Sequence, residues 1–283
     1  MSTSRPADIP ITAELINQAI ASADSFGHEM RVRAILEQNG VKFTHGWTYP
    51  DPVEAKPRQF DFRGTLAHLN HRNRFRFAIE CKNLAPTAPL VISGTPRSPA
   101  EAFHDIVSPA DMGTNFIIRR SRFENRVYPL GGFVGKSFLR LRLDKGVLVS
   151  SSQGEGDVYN GWAQALASAH EICGLAAKDI DSGVSVFSVI LPAVVVPDGT
   201  LWTVQYQRDS SIGAGAIAVD RASVFVNHSV RLPDGHQSIN LSHVEFFTLS
   251  GLQSFLSELC RHDRYEEDWF PANSEIRKAV NEQ

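Results

Sequence analysis

Cysteine is scarce: the three in 283 residues, Cys81, Cys173 and Cys260, share no Cys-x-x-Cys spacing. That excludes a disulfide framework and a zinc knuckle, and it fits a reducing compartment. Long apolar runs are missing too, since none reaches the ~18 residues that a membrane helix requires. Met1 to Pro10 lacks the basic-then-apolar pattern of a secretory signal. The expectation is a soluble cytoplasmic protein with no membrane partner. Net charge is low, −3 at pH 7, so the chain as a whole is not a general polyanion binder. No internal repeat or low-complexity linker divides it, and 42% hydrophobic content over this length can fill one large core.

Charge is unevenly spread. Between Asn115 and Ser150 there are eight basic residues (Arg119, Arg120, Arg122, Arg126, Lys136, Arg140, Arg142 and Lys145) against two acids, Glu124 and Asp144. Residues 151–283 hold seventeen acids and eight bases, so phosphate contacts are expected from the earlier segment.

The chemistry-bearing pattern lies upstream. In Phe60-Asp61-Phe62 the two aromatics take the apolar side of a strand, so Asp61 projects oppositely with Gln59 and Arg63. From Arg74 to Lys82 residues alternate: Phe75, Phe77, Ile79 and Cys81 share one face, while Arg74, Arg76, Ala78, Glu80 and Lys82 share the other. If these strands form a hairpin with the aromatics buried together, Asp61 and Glu80 converge beside Lys82. The plain alternative is an exposed strand face whose charges pair, Glu80 with Arg63 or Arg76. On the preceding helix, Glu29 lies one turn before Val32, in line with the apolar stripe of Val32, Ile35 and Leu36.

Asp61, eighteen intervening positions, then Glu80-Cys81-Lys82 resembles the signature of the PD-(D/E)xK nuclease superfamily, the restriction-endonuclease-like fold. Phe60 stands where that family's proline would precede the Asp. The resemblance implies a Mg²⁺ ion, with Mn²⁺ as a substitute, held by Asp61, Glu80 and the Cys81 main-chain carbonyl. It implies Lys82 as the group that orients or deprotonates water, and Glu29 as a helper in the coordination shell. Its expected activity is metal-dependent endonucleolytic cleavage of DNA, in bacterial restriction or antiphage defence. Arg63, Arg74, Arg76, Arg119, Arg120, Arg140 and Arg142 are then the expected nucleic-acid contacts. A partner subunit or a homodimer stays open, and the alternative is a non-catalytic nucleic-acid- or protein-binding module on the same fold.

The coarse organisation agrees with an α/β chain built on an α+β mixed sheet. Helices are expected from Thr12, as N-cap, to Ala23 and from Gly27 to Asn39, with Gly40 as C-cap. Strands follow at Val41 to Trp47, Gln59 to Leu69 and Arg74 to Lys82. Asp157 to Ala176 carries a continuous stripe of Val158, Trp162, Ala165, Ala169, Ile172 and Ala176. Val184 to Val196 reads as buried strand broken at Pro192, and Leu201 to Gln207 follows an Asp198-Gly199 turn. This order is an α-β-β-β-α-β core in one domain, about 12–86 and 157–207. A basic insertion, about 87–156, interrupts it with short peripheral strands. A C-terminal extension, about 208–283, adds strands at Ser223 to Val230 and His243 to Leu249 and a helix at Ser250 to Cys260, capped by Ser250 and Gln253.

Other patterns carry less. Glu54-Ala55-Lys56 lies between Pro52 and Pro57 and reads as a loop. Gly131-Gly132-Phe133-Val134-Gly135-Lys136-Ser137 lacks the first glycine of a phosphate loop, since Leu130 stands in its place. His68-x-x-His71 and His104-Asp105 have no fitting further ligands and read as polar turn residues. His170-Glu171 reads as the solvated side of its helix, and Cys81 as core-facing.

Overall fold

The computed structural model describes residues 10–23, 25–50, 56–67, 72–109, 116–121, 126–181, 184–207, 209–232, 235–261 and 268–270. Glu54-Ala55 and the His68-x-x-His71 pair lie outside these residues. Two helices come first, α1 (Ala13–Ala23) and α2 (Ser25–Gln38). Thr12 caps α1, its Oγ1 accepting the Leu15 N–H at 3.3 Å. Gly40, at φ 68°, supplies the left-handed residue that ends α2.

Five strands follow: β1 (Lys42–His45), β2 (Thr48–Pro50), β3 (Pro57–Gln59), β4 (Phe62–Ala67) and β5 (Asn73–Cys81). The basic segment supplies β6 (Leu90–Pro96), β7 (His104–Pro109), β8 (Phe116–Ser121), β9 (Phe133–Asp144) and β10 (Val147–Ser150). Then come α3 (Ser152–Ala176), β11 (Ile180–Asp181), β12 (Val184–Ser185), β13 (Phe187–Val196), β14 (Leu201–Tyr206), β15 (Ile212–Ala218), β16 (Arg221–Arg231), β17 (Ser238–Thr248) and α4 (Leu249–Arg261).

The fold is mixed α/β around one large mixed sheet of thirteen strands, in the order β1-β4-β5-β13-β17-β16-β9-β6-β14-β15, with β10 on β9 and β7 joining β13 to β8. From its edge inward, β1 pairs antiparallel with β4 and β4 antiparallel with β5, while β13 is parallel to both β5 and β17. Phe62 pairs with Ile79 and Val194 with Glu80. Period-2 alternation on β5 divides its side chains between two apolar layers. Ala78 lies in the layer beneath α3, with Leu166, Ala169 and Val194. Phe75, Phe77 and Ile79 lie in the opposite layer, beneath Val32 and Leu36 of α2 and Leu252 and Phe255 of α4.

Small residues let α3 approach the sheet closely: Ala165, Ala169 and Ala176 are all fully buried. Ala169→Leu should therefore cost ~1–3 kcal/mol by overpacking. A neutral result in thermal unfolding would mean that α3 does not bear on the sheet as described.

Four expectations need correction. Pro192 does not break its strand. β13 runs unbroken through it, because its outer edge pairs with β7 at Ser188 and with β17 only from Ala193. Pro192 falls in the gap, where a missing donor costs little. The segment 115–149 is not peripheral: Tyr128 and Val134 are buried, and β9 sits between β16 and β6. The α4 cap is Thr248, whose Oγ1 accepts the Gly251 N–H at 3.0 Å, while the Ser250 N–H goes to Asp198. His104-Asp105 lies in β7 rather than a turn, with His104 bonded to the Trp269 carbonyl at 2.7 Å and Asp105 to Arg120. Among the described residues no helix is long and apolar enough to cross a membrane.

Candidate functional site

Asp61 sits at the bend that opens β4. The ladder Phe62↔Ile79 places it opposite Glu80, on the α3 face of the sheet. Its Oδ2 accepts the Cys81 N–H at 2.6 Å, which fixes the side chain against the end of β5. The two carboxyl groups adjoin each other closely enough to shift one another's titration. Glu80 is 2% exposed, and its Oε1 has no hydrogen-bond partner among the described residues.

Burial decides the electrostatics. It pushes Glu80 well above the usual carboxylate range, and the neighbouring Asp61 charge pushes the same way. Asp61 is raised as well, again chiefly by burial, although the Cys81 N–H and Lys82 oppose the shift. Two acids this close and this dry favour retaining a proton between them. The Cys81 thiol, enclosed by burial and by the charges of Asp61, Glu29 and Glu80, is pushed far up and is no nucleophile at neutral pH.

Lys82 follows β5 directly. Its N–H donates to the Val195 carbonyl at 2.9 Å, and its aliphatic stem lies against Gly161 of α3, where a Cβ would collide with it. The same Val195 carbonyl lies 3.0 Å from Nε2 of His28, a buried α2 residue whose imidazole is held neutral by burial. One β13 carbonyl thus ties the start of α2 to the end of β5. Glu29, next to His28, approaches from the α2 side and acts electrostatically on Asp61 and Cys81. Its Oε2 is engaged at 3.0 Å by Nε2 of His45, which stacks on Phe62 at 4.4 Å.

The expected arginines divide into groups. Arg63 neither pairs with Glu80 nor stands free. It lies over the Phe60 ring at 4.2 Å and bonds Ser168 Oγ and Glu171 Oε2 of α3, each at 2.8 Å. Glu171 is therefore a partner as well as a solvated residue. Arg74 and Arg76 both pair with Asp179, and Arg76 also donates to Ser188. Arg120 makes a bidentate pair with Asp105 and covers Phe103, while Arg119 is exposed. Phe138 of β9 meets Trp162 of α3, so Arg140 and Arg142, two and four residues on, share the α3 face with the acid pair. They are four strands away from β5, on the order of 19 Å across the sheet. The structure therefore gathers Asp61, Glu80, Lys82 and Cys81, brings Glu29 beside them, and leaves the basic strand apart.

The glycine loop has no phosphate cradle in this arrangement. Gly131 and Gly132 spend their N–H groups on the carbonyls of Arg97 and Pro129, and Lys136 pairs with Glu101. Among the described residues no group of three or more His, Cys, Asp or Glu side chains is gathered as a metal site. Sequence reasoning missed His45, His28 and Gly161. A histidine closing the first strand was a signal for His45, but nothing local in the chain marks Gly161 as the seat of Lys82. No protein-family model, no curated protein and no solved structure matches the chain.

Proposed function

We propose that the chain is a metal-dependent endonuclease acting on DNA, with Asp61, Glu80 and Lys82 at its centre. The observation that carries this reading is Asp61 directly opposite Glu80 across two strands, with Lys82 following on the same face. The strand directions β1-β4-β5-β13, with α2 ahead of them and α3 between β5 and β13, support a restriction-endonuclease-like core.

The donor set fits a hard divalent cation. Glu80 Oε1 is buried and unpartnered, a second carboxylate adjoins it, and both acids are raised by burial, so a bound cation would relieve the desolvation. Mg²⁺ or Mn²⁺ would be held by Asp61, Glu80 and the Cys81 carbonyl, oxygen ligands of the kind such ions prefer. When bound, the ion supplies a Lewis acid for phosphoryl oxygens and acidifies water. The protein's own groups do the rest. The Cys81 N–H orients Asp61, burial excludes bulk water around Glu80, and Gly161 leaves room for Lys82 to point its ammonium at an attacking water or a phosphate oxygen. Glu29, positioned by His45, adds a further negative charge beside the pair.

The test is nicking of plasmid and single-stranded DNA by the full chain with Mg²⁺ or Mn²⁺, and cleavage that chelation abolishes is expected. No cleavage of any nucleic acid would defeat this reading in favour of a binding module. Gly161→Ala supplies a finer check. The added methyl must displace the flexible Lys82 stem, so thermal stability should barely move, while the cleavage rate should fall about 10–10²-fold through misplacement of one group. An unchanged rate would remove Lys82 from the chemistry.

A further inference from the structure

Beside the acid pair, on the same face of the sheet, β1, β4 and the later turns of α3 enclose a groove of about 520 Å³. Its walls include Lys42, Trp47, Phe60, Arg63, Arg76 and Glu171. Trp47 is 67% exposed, although an indole ordinarily buries most of its large apolar surface. Its backbone is nevertheless fixed. The Trp47 carbonyl accepts the Phe60 N–H at 3.1 Å, and the Gly46 N–H donates to the Asp61 carbonyl at 3.0 Å. The exposed ring therefore belongs to a residue held one rung from Asp61.

The floor is polar in a specific way. The Arg63 guanidinium, sandwiched against Phe60 and Tyr49 at 4.2 and 4.8 Å, is clamped by Ser168 and Glu171, with its Nη2 buried beneath the groove surface. The Glu171 side chain, half exposed beside this guanidinium, matches the exocyclic N–H groups on the edge of a nucleobase. The volume falls in the range of a small-molecule site and suits one nucleotide rather than a double helix. A base offers its face for stacking only when it is out of the duplex stack.

We propose that this groove takes an unpaired nucleobase of a single-stranded stretch, stacked on Trp47, with its edge toward Arg63 and Glu171 and its phosphate toward Lys42. The inference rests on the nuclease reading for the identity of the substrate and sharpens it: the strand presented to Asp61 and Glu80 is single or locally unpaired. Stacking needs no metal, so the groove can be read out without cleavage.

The experiment titrates the full chain in EDTA with an end-labelled oligothymidylate of about 12 nucleotides, within the usual site size of single-strand binders, and with a blunt duplex of equal length. Anisotropy gives affinity and tryptophan emission reports stacking. The single strand should quench emission and bind more tightly than the duplex. Trp47→Ala should weaken single-strand binding about 5–150-fold, the range that corresponds to loss of one base–aromatic stack, and remove the quench. Trp47→Phe, which keeps a ring, should retain most of the affinity. Unchanged affinity in Trp47→Ala, or duplex binding that equals single-strand binding and quenches emission as strongly, overturns the proposal. Plasmid cleavage with Trp47→Ala indifferent to single strands removes the groove alone. Quenching through Trp47 by a protein that cuts nothing removes the nuclease reading and leaves the groove.

Discussion

Glu80→Gln should lower metal-dependent DNA cleavage by about 10³-fold, the equivalent of ~4 kcal/mol, because losing a ligand charge removes most of the benefit of the ion. The substitution keeps shape and volume, so the fold should survive. Binding of DNA without metal should stay level or tighten, since a negative charge near phosphate has gone. That split separates chemistry from affinity. A variant that keeps cleavage within about tenfold of the parent would show that Glu80 holds no ion the reaction needs.

Without metal, the acid pair should make stability fall as pH rises, the reverse of an ordinary paired carboxylate. Both groups have folded-state pKa values above those of the unfolded chain, Glu80 by burial and then Asp61, and Asp61 chiefly by burial. The folded chain therefore holds protons that the unfolded chain releases near pH 4. Stability from this source is complete below that pH and is lost as pH climbs through the raised values. Glu80→Gln should match the parent at low pH and exceed it near neutrality, where folding of the parent must take up protons that the unfolded chain has released. Mg²⁺ or Mn²⁺ should restore the parent selectively, by about 2.7 kcal/mol at a hundred times its Kd, and do little for the variant. Thermal unfolding at several pH values, with and without the ion, reads both. A parent more stable at pH 8 than at pH 5 in EDTA, with the variant no better, would contradict a buried acid pair.

How much of this was legible in the chain follows from the range of the interactions. Alternation from Arg74 to Cys81 fixes which residues share a face, so the hairpin and the meeting of Asp61 with Glu80 could be read locally. Gly40 marks its helix end by chemistry that needs no partner. Pro192 misleads because its effect depends on where neighbouring strands stop, which the ten residues of β13 do not encode. Arg63 and Arg76 look free in sequence because Glu171 and Asp179, their partners, lie about a hundred positions away. Thr248 displaces Ser250 as the cap because Asp198, far upstream, takes the Ser250 N–H. Trp47 is visible as an aromatic after Gly46, but its exposure depends on what α3 leaves uncovered.

The Val195 carbonyl, shared by His28 and the Lys82 N–H, has a consequence for the order in which the protein becomes active as it is made. Asp61 and Glu80 leave the ribosome close together and can meet in a hairpin while the nascent chain is short. Their low-dielectric setting cannot form until α3 (Ser152–Ala176) and then β13 (Phe187–Val196) have emerged. Until then both acids titrate like those of any wet hairpin, Lys82 has no Gly161 to rest on, and the first helices have no β13 to hold. The reactive chemistry is thus deferred to a late stage of synthesis by topology alone.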